Sequence, residues 1–232
     1  MTRAVLRKDL VAIWTTPLPY VVGALFHLVL GLLYIDQLET RAQAVSQPLF
    51  PLAAFLLVVS VPLLTMRSIA EEARSGTLDL LQVAPLAARA IVVGKWLAAW
   101  ITAVVVLAPA TVLVALLELF GEPDPGPVTA GFTGLVLLAG ALSGLGVLAS
   151  SLTTSQPVAA VAGFFVSLLL WFAHAGSESL SVGTVLSRLS LSEHLRAFAG
   201  GGIDTADAGY FLLLAAACLT AAVVAVDARR LR

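Results

Sequence analysis

Charge is what this chain has least of. Asp, Glu, Lys and Arg make up 12% of its 232 residues, against 59% hydrophobic, where a water-soluble domain carries about 25% charged and roughly 45–50% apolar. A chain this short has no interior large enough to hide so much apolar surface from water. Its mean hydropathy of +1.00 therefore marks an integral membrane protein and excludes a soluble enzyme or a disordered binder. A net charge of −1 excludes a nucleic-acid surface, which needs a basic face. The single cysteine, Cys218, excludes an intrachain disulfide and any cysteine cluster for zinc or iron–sulfur. No Gly-x-x-x-x-Gly-Lys-Ser/Thr run occurs, so the chain has no phosphate-cradling loop of its own.

What the chain does have is long stretches free of charge. A bilayer core of about 30 Å asks for about 20 apolar residues per helix. Residues 17–35, 48–66, 96–117, 130–152, 157–174 and 210–226 each lack Asp, Glu, Lys and Arg. They predict an all-α integral membrane protein of six transmembrane helices, folded as a single domain over 1–232. The first stretch starts late and runs into Tyr34-Ile35-Asp36 instead of a small-residue cleavage site, so it is expected to stay in the protein rather than leave as a signal peptide. Lys and Arg favour cytoplasmic connections. With the N-terminus inside, ten fall inside (Arg3, Arg7, Lys8, Arg67, Arg74, Arg89, Lys95, Arg229, Arg230, Arg232) and three outside (Arg41, Arg188, Arg196). Both termini are thus expected in the cytoplasm and the protein in the cell's inner (plasma) membrane. Residues 36–47 and 121–128 read as short outer loops and 153–156 as a tight inner turn. Two connections exceed what topology needs, 67–95 inside and 175–209 outside, and unusually long connections tend to carry function.

Residues 2–15 read as an interfacial helix lying along the inner membrane surface. Val5, Leu6, Leu10, Ala12 and Ile13 share one side of a helical wheel and Arg3, Arg7 and Lys8 the other. Asp9 interrupts the apolar side, and Pro17 ends the helix. The alternative is a basic flank that merely sets topology.

The inner segment 67–89 holds the densest signal. Good helix formers from Arg67 onward would carry the second span into the cytosol, with Glu71 and Glu72 at pairing distance from Arg67 and Arg74. Gly76 permits a sharp break. Thr77 is a candidate N-cap for a second short helix, and Asp79 in its first turn favours the helix dipole. Leu78, Leu80 and Leu81 give that helix apolar knobs, and Pro85 stops it. A short helix lying across the spans with exposed leucines suits docking into a groove of a soluble partner; a solvated hairpin joining two spans is the alternative.

The run Glu71-Glu72-x-Arg74-Ser75-Gly76-Thr77-Leu78-x-Leu80-Leu81-x-x-x-Pro85, followed by Ile91-Val92-x-Gly94-Lys95, resembles the signature of ATP-binding-cassette (ABC) type-2 transporter permeases. It is most similar to the compact six-span branch of gliding-motility and nitrous-oxide-reductase-maturation permeases. A second match is Leu189-Ser190-Leu191-Ser192-x-His194-Leu195-x-x-Phe198-x-x-Gly201, with Tyr210-Phe211 opening the last span. The resemblance implies the ABC type-2 exporter fold and a cytosolic coupling helix seated in a separate ATPase subunit. The ATPase-coupling residues it implies are Glu71, Glu72, Arg74, Gly76, Thr77, Leu78, Asp79, Leu81 and Pro85. It also implies a second permease chain, identical or different, and places ATP and magnesium on the partner ATPase, with no cofactor on this chain.

Outside, Val182, Val185, Leu186 and Leu189, then Leu191, Leu195 and Phe198, recur at helical spacing, and Gly200-Gly201-Gly202 would end the pattern. They predict two short helices resting at the outer interface, or else an ordinary amphipathic loop. In related permeases such helices help close the pathway, which makes Leu189, Leu191, His194, Leu195 and Phe198 a candidate outer gate. His27, His174 and His194 have no Met or Cys companions, so no metal site is expected. His27 should face protein or a cavity instead of lipid.

Gly140-Ala141-Leu142-Ser143-Gly144 in the fourth span invites comparison with rhomboid proteases, whose Gly-x-Ser-Gly nucleophile pairs with a histidine in the sixth span. Here Ala141 replaces the first glycine and 210–226 contains no histidine, so the serine lacks its base. Helix packing through small residues is the simpler reading. Pro62 and Pro109 fall inside spans, where each removes a helix hydrogen bond.

The expected function is a permease subunit that moves an apolar or amphipathic substrate, by resemblance outward, through a route carrying no ionisable group but histidine. The alternative is a transport-silent scaffold that couples the ATPase to an extracellular accessory protein.

Overall fold

The computed structural model describes residues 2–41, 46–76, 87–118, 124–176 and 183–229, and all regular structure among them is helical. In chain order the helices are α1 (Thr2–Trp14), α2 (Leu18–Arg41), α3 (Leu49–Thr65), α4 (Ala70–Ser75), α5 (Ala88–Leu107), α6 (Ala110–Glu118), α7 (Pro125–Leu152), α8 (Gln156–Trp171), α9 (Gly183–Arg188), α10 (Leu191–Ala199) and α11 (Thr205–Arg229). Five helical stretches among the described residues are long and apolar enough to cross a membrane: α2, α3 with α4, α5 with α6, α7, and α11. The remaining apolar helix, α8, has 16 residues, about 24 Å at 1.5 Å per residue.

The bundle is built around α7. Asp124 opens it, its carboxylate accepting the Gly126 N–H at 2.9 Å, and prolines at 125 and 127 occupy the first turn, where a missing N–H does no harm. Its small residues then let neighbours approach. A Cβ on Gly144 would lie 3.3 Å from the Ala215 Cα of α11, so the two helices touch nearly backbone to backbone. Gly140-Ala141-Leu142-Ser143-Gly144 is thus a packing surface, with the Gly140 carbonyl accepting Trp96 Nε1–H at 2.9 Å. Leu135, Leu138 and Leu142 of α7 are fully buried with Phe50, Leu57, Phe198 and Phe211. The outermost helices turn large apolar side chains outward, among them Leu28 and Leu32 of α2 and Leu213 of α11, as lipid-facing surfaces do.

Four expectations need correction. The second span does not run on as one helix: α3 stops at Thr65 and four residues of turn precede α4. Pro62 leaves a carbonyl without its donor, and the Thr65 hydroxyl donates back to Val61 O at 2.9 Å, both of which loosen a helix. The third span starts at Ala88, so Lys95 lies within it, and Ala108-Pro109 divides it from α6. The N-terminal helix packs on protein: Val5 and Asp9, one turn apart, are its buried residues. Finally, the second short helix of the outer segment, α10, packs into the bundle instead of lying as an amphipathic helix on its surface. Leu191, Leu195 and Phe198 are buried in the bundle core, and Phe198 lies so close to α7 that a Cβ on Gly134 would sit 2.7 Å from its own.

Candidate functional site

The N-terminal helix α1 and the last turns of α11 lie at one end of the bundle, where the ends of α5, α7 and α8 converge with them on α4. Its root is apolar: Ile69 is fully buried with Ala88, Val92, Val147, Ala222 and Val226, a small core beneath the helix. Burying such a side chain contributes about 1.5–3 kcal/mol. An isoleucine at the N-cap position offers no hydrogen bond to the first orphan N–H groups of the helix. Ser150, from the far end of α7, supplies it. Its Oγ accepts from Ile69 N at 3.0 Å and Ala70 N at 2.9 Å and donates to Met66 O at 3.1 Å. A hydroxyl has one donor and two acceptor positions, so Ser150 is fully used in clasping the turn.

The carboxylates of α4 fasten its sides. Glu71 pairs with Arg67 one turn back, at 3.8 Å, and accepts from Gln156 Nε2 at the start of α8, while Gln156 Oε1 accepts from Arg67 Nε at 3.1 Å. Glu72 reaches the other way, to Lys8 of α1 at 2.8 Å and to Lys95 of α5 at 2.9 Å. The same Lys95 Nζ lies 2.9 Å from Asp9 of α1. Lys8, Glu72, Lys95 and Asp9 thus form a four-membered, charge-balanced chain across three helices. Its inner members are enclosed, with side-chain exposures of 2% for Lys95, 11% for Asp9 and 12% for Glu72. Burial pushes the Asp9 carboxyl above its ordinary range, and Lys95 beside it opposes that shift without cancelling it. At Lys8 burial acts downward, but the hydrogen bond and charge of Glu72 outweigh it and hold the ammonium above its ordinary value.

Gly94 makes this junction possible. A Cβ there would lie 2.9 Å from Val5 Cβ and 3.2 Å from the Thr2 carbonyl. Only glycine lets α1 come close enough for Asp9 to meet Lys95. A cavity of about 340 Å³ opens beside the chain of charges, walled by Asp9, Ile13, Leu64, Arg67 and Glu72 among others. Beyond Ser75, Gly76 takes φ +70° and ends α4 as the sequence predicts.

Of the residues expected to couple to an ATPase, Glu71 and Glu72 are thus brought into one site, and Arg74 and Gly76 lie exposed at its tip. Thr77, Leu78, Asp79, Leu81 and Pro85 lie outside the described residues. Lys8, Asp9, Lys95, Ser150 and Gln156 take part as well, although none of them was expected among the coupling residues. Asp9 and Lys95 carried a signal nonetheless, each being a charge within an apolar face, and charges are buried almost only when paired. Ser150 and Gln156 carried none.

At the opposite end the candidate gate residues separate. Leu191, Leu195 and Phe198 are core, while Leu189 is 45% exposed. His194 lies between three helices. Its Nδ1 is 2.6 Å from Asp207 and its Nε2 is 2.9 Å from the Arg188 carbonyl. Its ring stacks on Tyr210 at 3.9 Å, whose hydroxyl donates to Leu189 O. His174 belongs to a different cluster, 3.0 Å from Ser192 Oγ. In the first span, His27 Nδ1 donates to the Gly23 carbonyl at 2.8 Å.

A search of curated proteins finds no match. A family model described as "ABC-2 family transporter protein" matches residues 31–189, more than half of the chain. The matched region contains α4, Lys95, Ser150 and Gln156, while Lys8, Asp9 and α10 fall outside it. With this match on a helical bundle rich in membrane-spanning stretches, the chain belongs to the ABC-2 family of transporter proteins and is a multi-pass membrane permease of an ABC transporter.

Proposed function

We propose that this permease moves an apolar or amphipathic substrate outward across the cell's inner membrane, driven by ATP hydrolysis on a separate cytosolic ATPase that seats on residues 77–85. The termini and α4 face the cytosol in this reading, as the ten-to-three distribution of Lys and Arg favours. Six spans follow if α8 crosses with the residues around its ends, and a second permease chain completes the path. ATP and magnesium stay on the ATPase.

The observation that carries the reading is the fastening of α4. It leads directly into the proposed docking segment, and its side chains and root tie it to α1, α5, α7 and α8. A push delivered at residues 77–85 would be shared by the N-terminal helix and the ends of several spans at once, instead of being lost in a loose loop. The route between spans would be largely uncharged, which suits apolar or amphipathic cargo better than small ions.

The test is ATPase activity of the permease–ATPase complex in nanodiscs, wild type against Leu78→Asp/Leu81→Asp. Loss of ATPase association or of membrane-stimulated hydrolysis is expected. Unchanged association and hydrolysis would place the docking surface elsewhere.

A further inference from the structure

A second cleft opens at the α4 end, on the side of the bundle formed by the ends of α7 and α11. It measures about 580 Å³ and is lined by Ser151, Leu152, Thr153, Thr154, Ala225, Ala228 and Arg229. Arg229 is the sole charged residue among the described residues of that lining. Its guanidinium is drawn in over the end of α7, Nη2 donating to the Ser151 carbonyl at 2.8 Å. Asp227, two residues earlier and so on a different side of the helix, does not line the cleft. Two hydroxyls stand beside the cation. Thr153 Oγ1 accepts from Ser155 N at 3.1 Å, which leaves its proton to donate, and Thr154 is exposed. A guanidinium with hydroxyl donors, and no carboxylate among the described lining residues, suits a phosphate oxygen. The wall also carries hydrocarbon: Leu152, the last residue of α7, is 68% exposed. In a membrane crossed by α7, its last residue and this mouth would lie toward one face of the bilayer. Charge and apolar surface therefore adjoin in the order in which a phospholipid presents them, which a free anion would not require.

We propose that this cleft binds the phosphate-bearing headgroup of an anionic phospholipid, with Arg229 as the cation, Thr153 and Thr154 as neutral donors, and Leu152 against the first part of an acyl chain. Basic pockets between spans at the cytosolic face hold such headgroups through charge and hydrogen bonds together. The bound lipid would brace the end of α11 against the end of α7. The proposal rests on the membrane assignment alone, so its failure would leave the transport reading standing.

The experiment is native mass spectrometry of the full chain released from nanodiscs of equal parts phosphatidylcholine and phosphatidylglycerol. Wild type should retain phosphatidylglycerol in preference to phosphatidylcholine. Arg229→Gln should reduce that adduct about five-fold, the equivalent of about 1 kcal/mol per cation at a membrane surface. Arg229→Lys should keep most of it, and Thr153→Val/Thr154→Val should weaken it with Arg229 intact, a readout that survives if the glutamine variant fails to fold. Arg3→Gln/Arg7→Gln should leave it unchanged. Equal phosphatidylglycerol retention by wild type and Arg229→Gln would overturn the proposal. So would displacement of the lipid by millimolar inorganic phosphate, which would make the ligand a free anion. Loss of ATPase co-purification in Arg229→Gln with lipid adducts intact would overturn it too, assigning the cleft to the partner.

Discussion

Replacing Lys95 by methionine removes one charge and keeps most of the aliphatic stem, which makes it the sharpest probe of the α1–α4–α5 junction. Lys95 Nζ is 2.9 Å from both Asp9 and Glu72. At an effective dielectric of about 20, each contact is worth about 6 kcal/mol of gross attraction, and taking the ions out of water opposes it by several kcal/mol apiece. The net effect of deleting one partner from so enclosed a set is a loss of about 3–5 kcal/mol, because the remaining carboxylates are left buried and facing each other. Lys8 does not rescue them fully: its side chain is 55% exposed, and pairs in that environment contribute about 0–1 kcal/mol. Unfolding in mixed micelles titrated with dodecyl sulfate, followed by helical circular dichroism at neutral pH, measures the loss. The double variant Asp9→Asn/Lys95→Met leaves Glu72 with Lys8 and restores charge balance, so it should recover to within about 1.5 kcal/mol of wild type, as replaced buried pairs often do. A Lys95→Met variant within about 0.5 kcal/mol of wild type would behave as a surface substitution and refute the reasoning. Double-variant losses that simply add would refute it too.

Three further outcomes follow from the same geometry. Ser150→Ala leaves the Ile69 and Ala70 N–H groups without their acceptor; it should destabilise by about 1–3 kcal/mol and speed hydrogen exchange at those two amides, with unchanged exchange as the contrary result. Gly94→Ala drives a methyl into Val5 and should destabilise by about 1–3 kcal/mol, whereas adding Val5→Ala to it should recover much of the loss; a double variant no better than the single would show that α1 does not dock there. The raised Asp9 pKa fixes a pH dependence. The fold holds this proton more tightly than the unfolded chain, so the contribution is full below the ordinary Asp pKa of about 4 and is lost as pH rises through the higher folded value. Wild type should therefore lose stability relative to Asp9→Asn across that interval in the micelle titration, and parallel pH profiles would contradict the assignment.

Much of the architecture was legible without coordinates. Long stretches without charge locate membrane helices because desolvating a charge in hydrocarbon outweighs almost any local preference. The break at Gly76, observed at φ +70°, and the stop at 200–202, where Gly201 takes φ +93°, were readable for a similarly local reason: only glycine takes such angles freely. Periodicity found the two short helices of the outer segment, but not their depth. Leu191, Leu195 and Phe198 have the same spacing whether they face lipid or core, and it is α7 opposite them that makes them core.

The sequence by itself determined that this is a membrane protein, where its apolar helices run, and that the chain would break at Gly76. Composition and helical spacing are local quantities, and those conclusions need nothing else. The partners of Glu72, Lys95 and Asp9, and the clasp of Ser150 on the turn before α4, were decided only in three dimensions. Asp9 and Lys95 are 86 residues apart, Lys8 and Glu72 are 64, and Ser150 and Ile69 are 81. An isolated charge in an apolar face announces that a partner must exist, because burying it alone is prohibitive; which partner it is depends on which helices pack side by side, and here that was settled by small residues such as Gly94 that let α1 and α5 touch.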